Sequence, residues 1–396
     1  MASLFKLTIE NYRSFYSAQT LDFGNPMRRV NAIFGSNASG KSNTAHAIST
    51  IKNCIRNSAA ANWRLPYDPF LLRVGSNAKP TRFSMSFEVD GETYDYSFSF
   101  DATHIVEETL LKKSKNTQKK RLIFERNSSG QLNKSAVKEG FGANLLKRTR
   151  PETLLITKAR EDNVPYSNAV FDFIDCLLVV PGNDFPGIQQ TYIDRLQKDS
   201  GLREETIALL KRCDFSIRDF RIVPVPIPEE ILNTAPLDDE MKEHLRGVMG
   251  NTLRTVHAVR DDERTVNEFV EFDFGGQESL GTQKFLAVAV PIVDALRHGK
   301  IVYIDEYGAY MHAVLADSLI QVFIEQSENT EAKLIFNTHS TSVLNGLKRE
   351  EVLFVEKGLS EESYISSLAD RGVRKQEPFE KRYREGMYGA IPVIRG

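Results

Sequence analysis

The chain has 396 residues, 41% hydrophobic and 26% charged, enough for one large domain or two around a substantial core. Its formal net charge of −2 excludes a chain that coats nucleic acid through overall basicity, so any such contact must come from a local patch. Cys54, Cys176 and Cys213 are far apart, match no zinc spacing and read as reduced thiols of a cytoplasmic protein. The start, MASLFKLTIENYRSF, has no basic region followed by an apolar stretch, and no apolar run reaches about 18 residues, so neither a signal peptide nor a membrane span is expected.

In chain order, Phe5, Leu7 and Ile9 alternate as a first strand, and a second ends at Phe34. Residues 41–54 read as a helix. Phe83, Met85, Phe87 and Val89, then Asp90–Gly91, then Tyr94, Tyr96, Phe98 and Phe100 form a hairpin signal. The basic segment KKSKNTQKKRLIFER carries this meander toward a turn at Asn127–Gly130. Residues 135–180 read as mixed helix, PGNDFPG at 181–187 as a loop, and 188–214 as helix. PVPIP at 224–228 is a stiff break, and 229–262 reads as a charged helical insertion. From Val270 onward, short apolar strands (VYI, KLIFN, VLFVE) alternate with helices, the pattern of a parallel α/β sheet. The expected organisation is an N-terminal part at 1–150, a mainly helical insertion at 151–265 and a C-terminal part at 266–396.

GSNASGKS at 35–42 lies between the strand-like RRVNAIF and the helix-like NTAHAISTIKNCI. It fits G-x-x-x-x-G-K-[ST]. Gly35 and Gly40 let the backbone curl its N–H groups toward phosphate oxygens. Lys41 reaches the β- and γ-phosphates, Ser42 offers a hydroxyl to Mg²⁺, and the helix N-terminus adds partial positive charge. A ligand-free glycine turn has the same residues; the strand before and the helix after argue for the phosphate reading. IVYIDE at 301–306 is an apolar strand ending in Asp305 and Glu306. At the C-terminal edge of a sheet, Asp305 is suited to hold Mg²⁺ and Glu306 to polarise an attacking water. LIFNTHS at 334–340 ends the next strand in His339, placed for the γ-phosphate or that water. In ESLGTQKF at 278–285, Ser279 and Gly281 start a helix whose first N–H groups form another anion site.

The order of phosphate loop, S-x-G-T helix start, IVYIDE and LIFNTHS resembles the ABC-type ATPase heads of the SMC, RecF and OLD kind, within the AAA family. ENYRSF resembles their first-strand motif, which implies that Arg13 lies near the nucleotide. Asn37 and Asn43 fit the loop and the start of its helix. RYREGMYGAIPVI at 382–394 resembles the tail of the RloA/AbiL-like ATPases of bacterial anti-phage loci, which stand beside a nuclease-like partner. The resemblance covers the N-terminal third and residues from about 270 onward. It implies a two-lobed α/β head with an inserted mainly helical region, and a homodimer that sandwiches two ATP molecules with Mg²⁺. Lys41, Ser42, Asp305, Glu306 and His339 then act in cis, and Ser279 and Gly281 in trans.

Three departures stand out. Gly308 and Tyr310 in YGAYMH occupy positions where similar proteins carry Asp and Ser, which implies reduced hydrolysis or coupling. The signature is not LSGGQ, and no γ-phosphate-sensing glutamine is evident. The 57 residues after His339 hold no acidic cluster with metal-ligand spacing, so a nuclease effector is expected on another polypeptide. Lys112, Lys113, Lys115, Lys119, Lys120 and Arg121 place six cations within ten residues. That segment reads as a solvated hairpin tip or as a phosphate-backbone contact. The alternative to a defence ATPase is accordingly a RecF-like repair ATPase that clamps DNA. A nucleotide-dependent scaffold without turnover is a third reading.

Overall fold

The computed structural model describes residues 2–24, 26–113, 119–182, 190–226, 249–328 and 330–391. The chain forms two compact units, one from Met1–Gly182, Ala295–Ala309 and Ile320–Gly396, the other from Asn183–Asp294 and Tyr310–Leu319.

The first unit holds two six-stranded sheets. The antiparallel one is built from β1 (Ala2–Glu10), β2 (Gln19–Asp22), β4 (Thr81–Val89), β5 (Glu92–Phe100), β6 (Ile105–Lys113) and β7 (Lys120–Arg126), in the order β2-β1-β4-β5-β6-β7. The expected hairpin pairs Val89 with Glu92 around Asp90–Gly91. In β1 the register shifts between Leu4 and Lys6, so Phe5 sits at an irregularity and Leu4, Leu7 and Ile9 enter the core.

The second sheet has the order β15-β14-β3-β13-β12-β8. Its strands are β3 (Val30–Phe34), β8 (Leu177–Val180), β12 (Ile301–Tyr307), β13 (Lys333–Thr338), β14 (Val352–Lys357) and β15 (Ser363–Ser367). All pairings are parallel except the edge strand β15. Continuous apolar runs suit strands covered on both faces, and β3 and β13 are buried throughout. Because β3, β12, β13 and β14 run the same way, their C-terminal ends share one edge, where ligands of open α/β sheets bind.

Helix α1 (Lys41–Asn57) follows β3 directly. Its buried residues Thr44, Ala45, Ala47, Ile48, Ile51, Cys54 and Ile55 recur at three- and four-residue steps. The six apolar ones join one core with the inner faces of both sheets and with α3 (Leu155–Glu161) and α4 (Pro165–Cys176), which follow the short α2 (Ala143–Lys147). Glu108 is fully buried on β6 and accepts the Leu155 and Ile156 N–H groups at the start of α3, at 2.6 and 2.9 Å.

The second unit contains α5 (Gln190–Lys198), α6 (Ser200–Arg212) and an antiparallel sheet β11-β10-β9. Here the structure corrects the sequence reading. Residues 249–260, expected as helix, are strand β10 (Met249–Arg260), paired with β9 (Ile217–Pro226) and β11 (Val266–Asp273). The remainder of the expected helical insertion, 227–248, lies outside the described residues. Among the described residues of 151–265, the helices end at Arg212, and β9 and β10 follow. The compact units first divide after Gly182 and are discontinuous in sequence. Helices α7 (Leu280–His298) and α8 (Ala313–Ser327) flank β12 in sequence. Among the described residues no helix is long and apolar enough to cross a membrane. The cysteines are free thiols.

The tail packs as structure. In α9 (Phe379–Arg384), Tyr383 stacks on Phe354 of β14 at 5.7 Å and meets Phe34 of β3 edge-on at 5.6 Å. Its hydroxyl donates to the Ala390 carbonyl. The RYREGMYGA stretch therefore buttresses the strand that leads into the phosphate loop. Residues 392–394 of that motif lie outside the described residues.

Candidate functional site

At the C-terminal edge of the parallel sheet, a cavity of about 600 Å³ is lined by Ser14, Asn37–Asn43, Glu306, Asn337, His339 and Lys357. Every lining residue belongs to the first unit. The loop geometry depends on its glycines. Gly40 has φ 108, a backbone conformation that L side chains rarely adopt, and a Cβ there would run into the Ser14 and Ser363 hydroxyls. A Cβ on Gly35 would lie 2.6 Å from Ser39 Oγ and overlap the Val355 carbonyl.

Lys41 is 6% exposed, and its ammonium donates to the Gly35 and Ser36 carbonyls, both at 2.8 Å. Burial pushes its pKa down to about 8, against the opposing pull of Asp305 and Glu306. Asn43 Nδ2 donates to Ser14 Oγ at 2.8 Å, tying the first turn of α1 to the loop after β1. Ser39 Oγ is buried with no hydrogen-bond partner among the described residues, an orphan hydroxyl inside the loop.

The acidic pair is held by a residue the sequence reading missed. Asn337, 1% exposed at the end of β13, accepts from the Glu306 N–H at 2.7 Å through Oδ1 and donates to Asp305 Oδ1 through Nδ2. Its signal was available: a polar residue inside the apolar run LIFN, one strand over from IVYIDE. Glu306 has φ 55, a strained conformation for a residue with a Cβ, of the kind that gathers at functional sites. Gly182 abuts this pair, since a Cβ there would come within 3.0 Å of the Glu306 side chain. Thr338 Oγ1 donates to the Tyr307 carbonyl at 2.7 Å. His339 lines the cavity, and burial together with the charge on Lys41 lowers its pKa below the ordinary imidazole value, keeping the ring neutral near pH 7.

The donor set fits a nucleotide with Mg²⁺. Ser42 and Asp305 offer hard oxygens, and among the described residues no group of three His, Cys, Asp or Glu forms a closed metal cage. Mg²⁺ is ordinarily held by one or two protein oxygens together with substrate phosphates and water. The orphan Ser39 hydroxyl and the glycine-dependent cradle suit phosphate oxygens in the same way.

A family model described as "AAA domain, putative AbiEii toxin, Type IV TA system" matches residues 30–165 and 183–345. The chain belongs to this AAA family. A solved SMC head bound to the C-winged helix domain of ScpA is similar over 93% of this chain and 99% of that one, at 12% identity and a TM-score of 0.50. An SMC head domain from Thermotoga maritima aligns over 92% and 98% at 16% identity with a TM-score of 0.42. An Smc head with an extended coiled coil, bound to the C-terminal domain of ScpA derived from Pyrococcus furiosus, aligns over 94% and 98% at 12% identity with a TM-score of 0.46. No curated protein sequence matches the chain. The mixed α/β fold of this AAA chain is similar to that of the ScpA-bound SMC head.

Five candidate residues of this AAA chain, Gly35, Asp305, Arg13, Ser279 and Gly281, are not among the cavity-lining residues, and the last three are placed apart from the loop and the acidic pair. Arg13 (φ 50) is not among the cavity-lining residues; its guanidinium pairs with Asp68 at 2.8 Å, while its neighbour Ser14 lines the cavity. In the second unit, Ser279 caps α7 by accepting the Thr282 N–H at 3.1 Å and meets the Thr282 hydroxyl at 2.8 Å. One of the helix-start N–H groups expected to be free is therefore occupied. A Cβ on Gly281 would lie 3.3 Å from the Tyr310 carbonyl, and Tyr310 (φ 63) is 70% exposed.

Proposed function

We propose that this AAA-family chain binds and hydrolyses ATP as the ABC-type head of a cytoplasmic homodimer. We infer further that its ATP cycle controls a separate, nuclease-like effector in bacterial anti-phage defence. The observation that carries the reading is the convergence of the phosphate loop, Glu306 and His339 on one cavity. In this reading the loop amides from Gly35 to Gly40, with Asn37 among them, cradle phosphate oxygens. Lys41 leaves its carbonyl partners for the β- and γ-phosphates, and Asn43 keeps the start of α1 in place. Ser42 and Asp305 hold Mg²⁺, which when bound neutralises charge on the phosphate oxygens. Glu306, aligned by Asn337, accepts the proton of the attacking water, and neutral His339 donates to the γ-phosphate or steadies that water. Arg13 fixes the Ser14 side of the cavity and stands near the nucleotide. Ser279 and Gly281 of a second copy complete the site.

ATP binding drives closure only by the amount it favours the closed dimer over separate heads. The RloA/AbiL-like assignment rests on the sequence of the tail, and the proposed slow turnover rests on Gly308 and Tyr310. The basic hairpin supports the solvated reading over a DNA clamp: Lys112 pairs with Glu92 at 3.4 Å, Lys120 with Asp95 at 2.8 Å and Arg121 with Glu139 at 2.6 Å. Lys115 lies outside the described residues.

Light scattering of Glu306→Gln with and without ATP tests the head reading. An ATP-dependent shift from monomer to dimer supports it; a mass indifferent to ATP contradicts it. A pull-down from the native host, read for proteins and nucleic acid, tests the defence role. Recovery of a nuclease-like partner supports that role, and recovery of DNA with repair proteins alone contradicts it.

A further inference from the structure

The cavity contains a second ammonium that the phosphate-loop pattern does not account for. Lys357, the last residue of β14, lines it together with the loop. Strand register fixes which side of the loop it occupies. Lys357 is paired directly with Ser363 across the antiparallel β14–β15 ladder, so both side chains leave the same face. Ser363 donates through its hydroxyl to the Ser39 carbonyl at 2.5 Å, and its N–H donates to the Ser14 carbonyl at 2.7 Å. Its hydroxyl also occupies the space a Cβ on Gly40 would need. Lys357 thus emerges beside Ser39, Gly40 and Ser14. Lys41 instead donates to Gly35 and Ser36 at the other end of the loop.

The side chain is held provisionally. Lys357 pairs with Glu361 at 2.9 Å, and the two side chains are 33% and 60% exposed. An exposed pair of this kind is weak and exchangeable. Glu361 lies in the turn joining β14 to β15, where its N–H donates to the Gly358 carbonyl at 3.1 Å.

We propose that Lys357 is a nucleotide-binding residue that leaves Glu361 to neutralise the α- and β-phosphates, and that Glu361 competes with the nucleotide for it. The inference rests on the ATP-binding reading given above. In a phosphate loop the later backbone N–H groups and the helix start serve the α- and β-phosphates, while the loop lysine serves the β and γ. A cation on the Ser39–Gly40 side therefore interacts equally with ATP and ADP. Two opposite signs follow. Removing Lys357 weakens both nucleotides in the same proportion, and removing the Glu361 charge strengthens both.

The test is calorimetric titration of the full chain with Mg²⁺ and either ADP or the β,γ-imido analogue of ATP. Lys357→Ala should weaken both ligands about tenfold, the size of one charge-assisted contact. Lys357→Arg should retain most of the affinity, and Glu361→Gln should tighten both ligands about twofold. Lys41→Ala serves as the control and should cost the imido analogue more than ADP. If Lys357→Ala matches the wild type while Lys41→Ala loses binding, this inference falls and the ATP-binding reading survives. Tightening absent in Glu361→Gln overturns the competition. If the wild type binds neither ligand, both fall together.

Discussion

The two helix starts expected to meet phosphate are built in contrasting ways. At α1, the strand, loop and helix form a rigid cradle in one unit. Its glycine at φ 108 tolerates no Cβ, its lysine is 6% exposed, and two neighbouring strands and the residue after them bring Glu306, Asn337 and His339 to the same cavity. At α7, Ser279 turns inward to cap its own helix, and the residues around it face outward. Leu280 is 58% exposed and Tyr310 70%. The first arrangement is preorganised for a ligand it surrounds. The second exposes apolar side chains beside a capped helix end, which suits a surface awaiting a partner. Under the proposed function, chemistry and control fall to different parts of one chain.

Substitutions can break this contrast, beginning where the effect is largest. Lys41→Ala should abolish measurable ATP binding by calorimetry while leaving the far-ultraviolet circular dichroism spectrum unchanged, because its contacts are to its own loop. Gly40→Ala should cost roughly 1–3 kcal/mol in urea unfolding from backbone strain and displace Ser14 and Ser363, with ATP binding lost alongside. Asn337→Ala should cut phosphate release roughly 10- to 100-fold with ATP affinity nearly kept, since it orients Glu306 and Asp305 rather than the nucleotide. Ser279→Ala should remove about 1 kcal/mol of helix-cap stability. It should leave ATP binding by the separate head unchanged and weaken only ATP-dependent dimerisation.

Acidity sharpens the same contrast. Burial lowers the Lys41 pKa in the folded chain to about 8 from 10.5. The folded state therefore sheds this proton first, and the cost of burying the charge is fully present below about 8 and relieved as pH rises toward 10.5. ATP requires the charged form, so affinity should hold below pH of about 8 and decline above it. In Lys41→Arg the decline should vanish, because arginine stays protonated.

The cradle was legible in the sequence because its constraints are local. A glycine that must curl, a lysine after it and an amphipathic helix leave a pattern in eight residues and their flanks. IVYIDE was legible for the same reason, as an apolar strand that ends abruptly in charge. Lys357 and Asn337 were not, because their importance comes from strand order: β14 and β13 lie on either side of β3 although their sequences are hundreds of residues away. Strand β10 lies in the charged stretch expected to be helical. Pairing with β9 and β11 overrides that composition, and Thr252, Thr255, Val256 and Val259 supply the β-branched side chains a strand favours. The tail stretch RYREGMYGA supports β3 and β14 through Tyr383, which is not among the cavity-lining residues.

The most direct test of the central claim is a paired measurement on Glu306→Gln and the wild type: phosphate released from ATP with Mg²⁺, and nucleotide retained after rapid desalting. The account predicts slow release by the wild type, none by Glu306→Gln, and ATP retained by the variant alone. Release at the wild-type rate from Glu306→Gln, or failure of both proteins to retain or consume ATP, would contradict it.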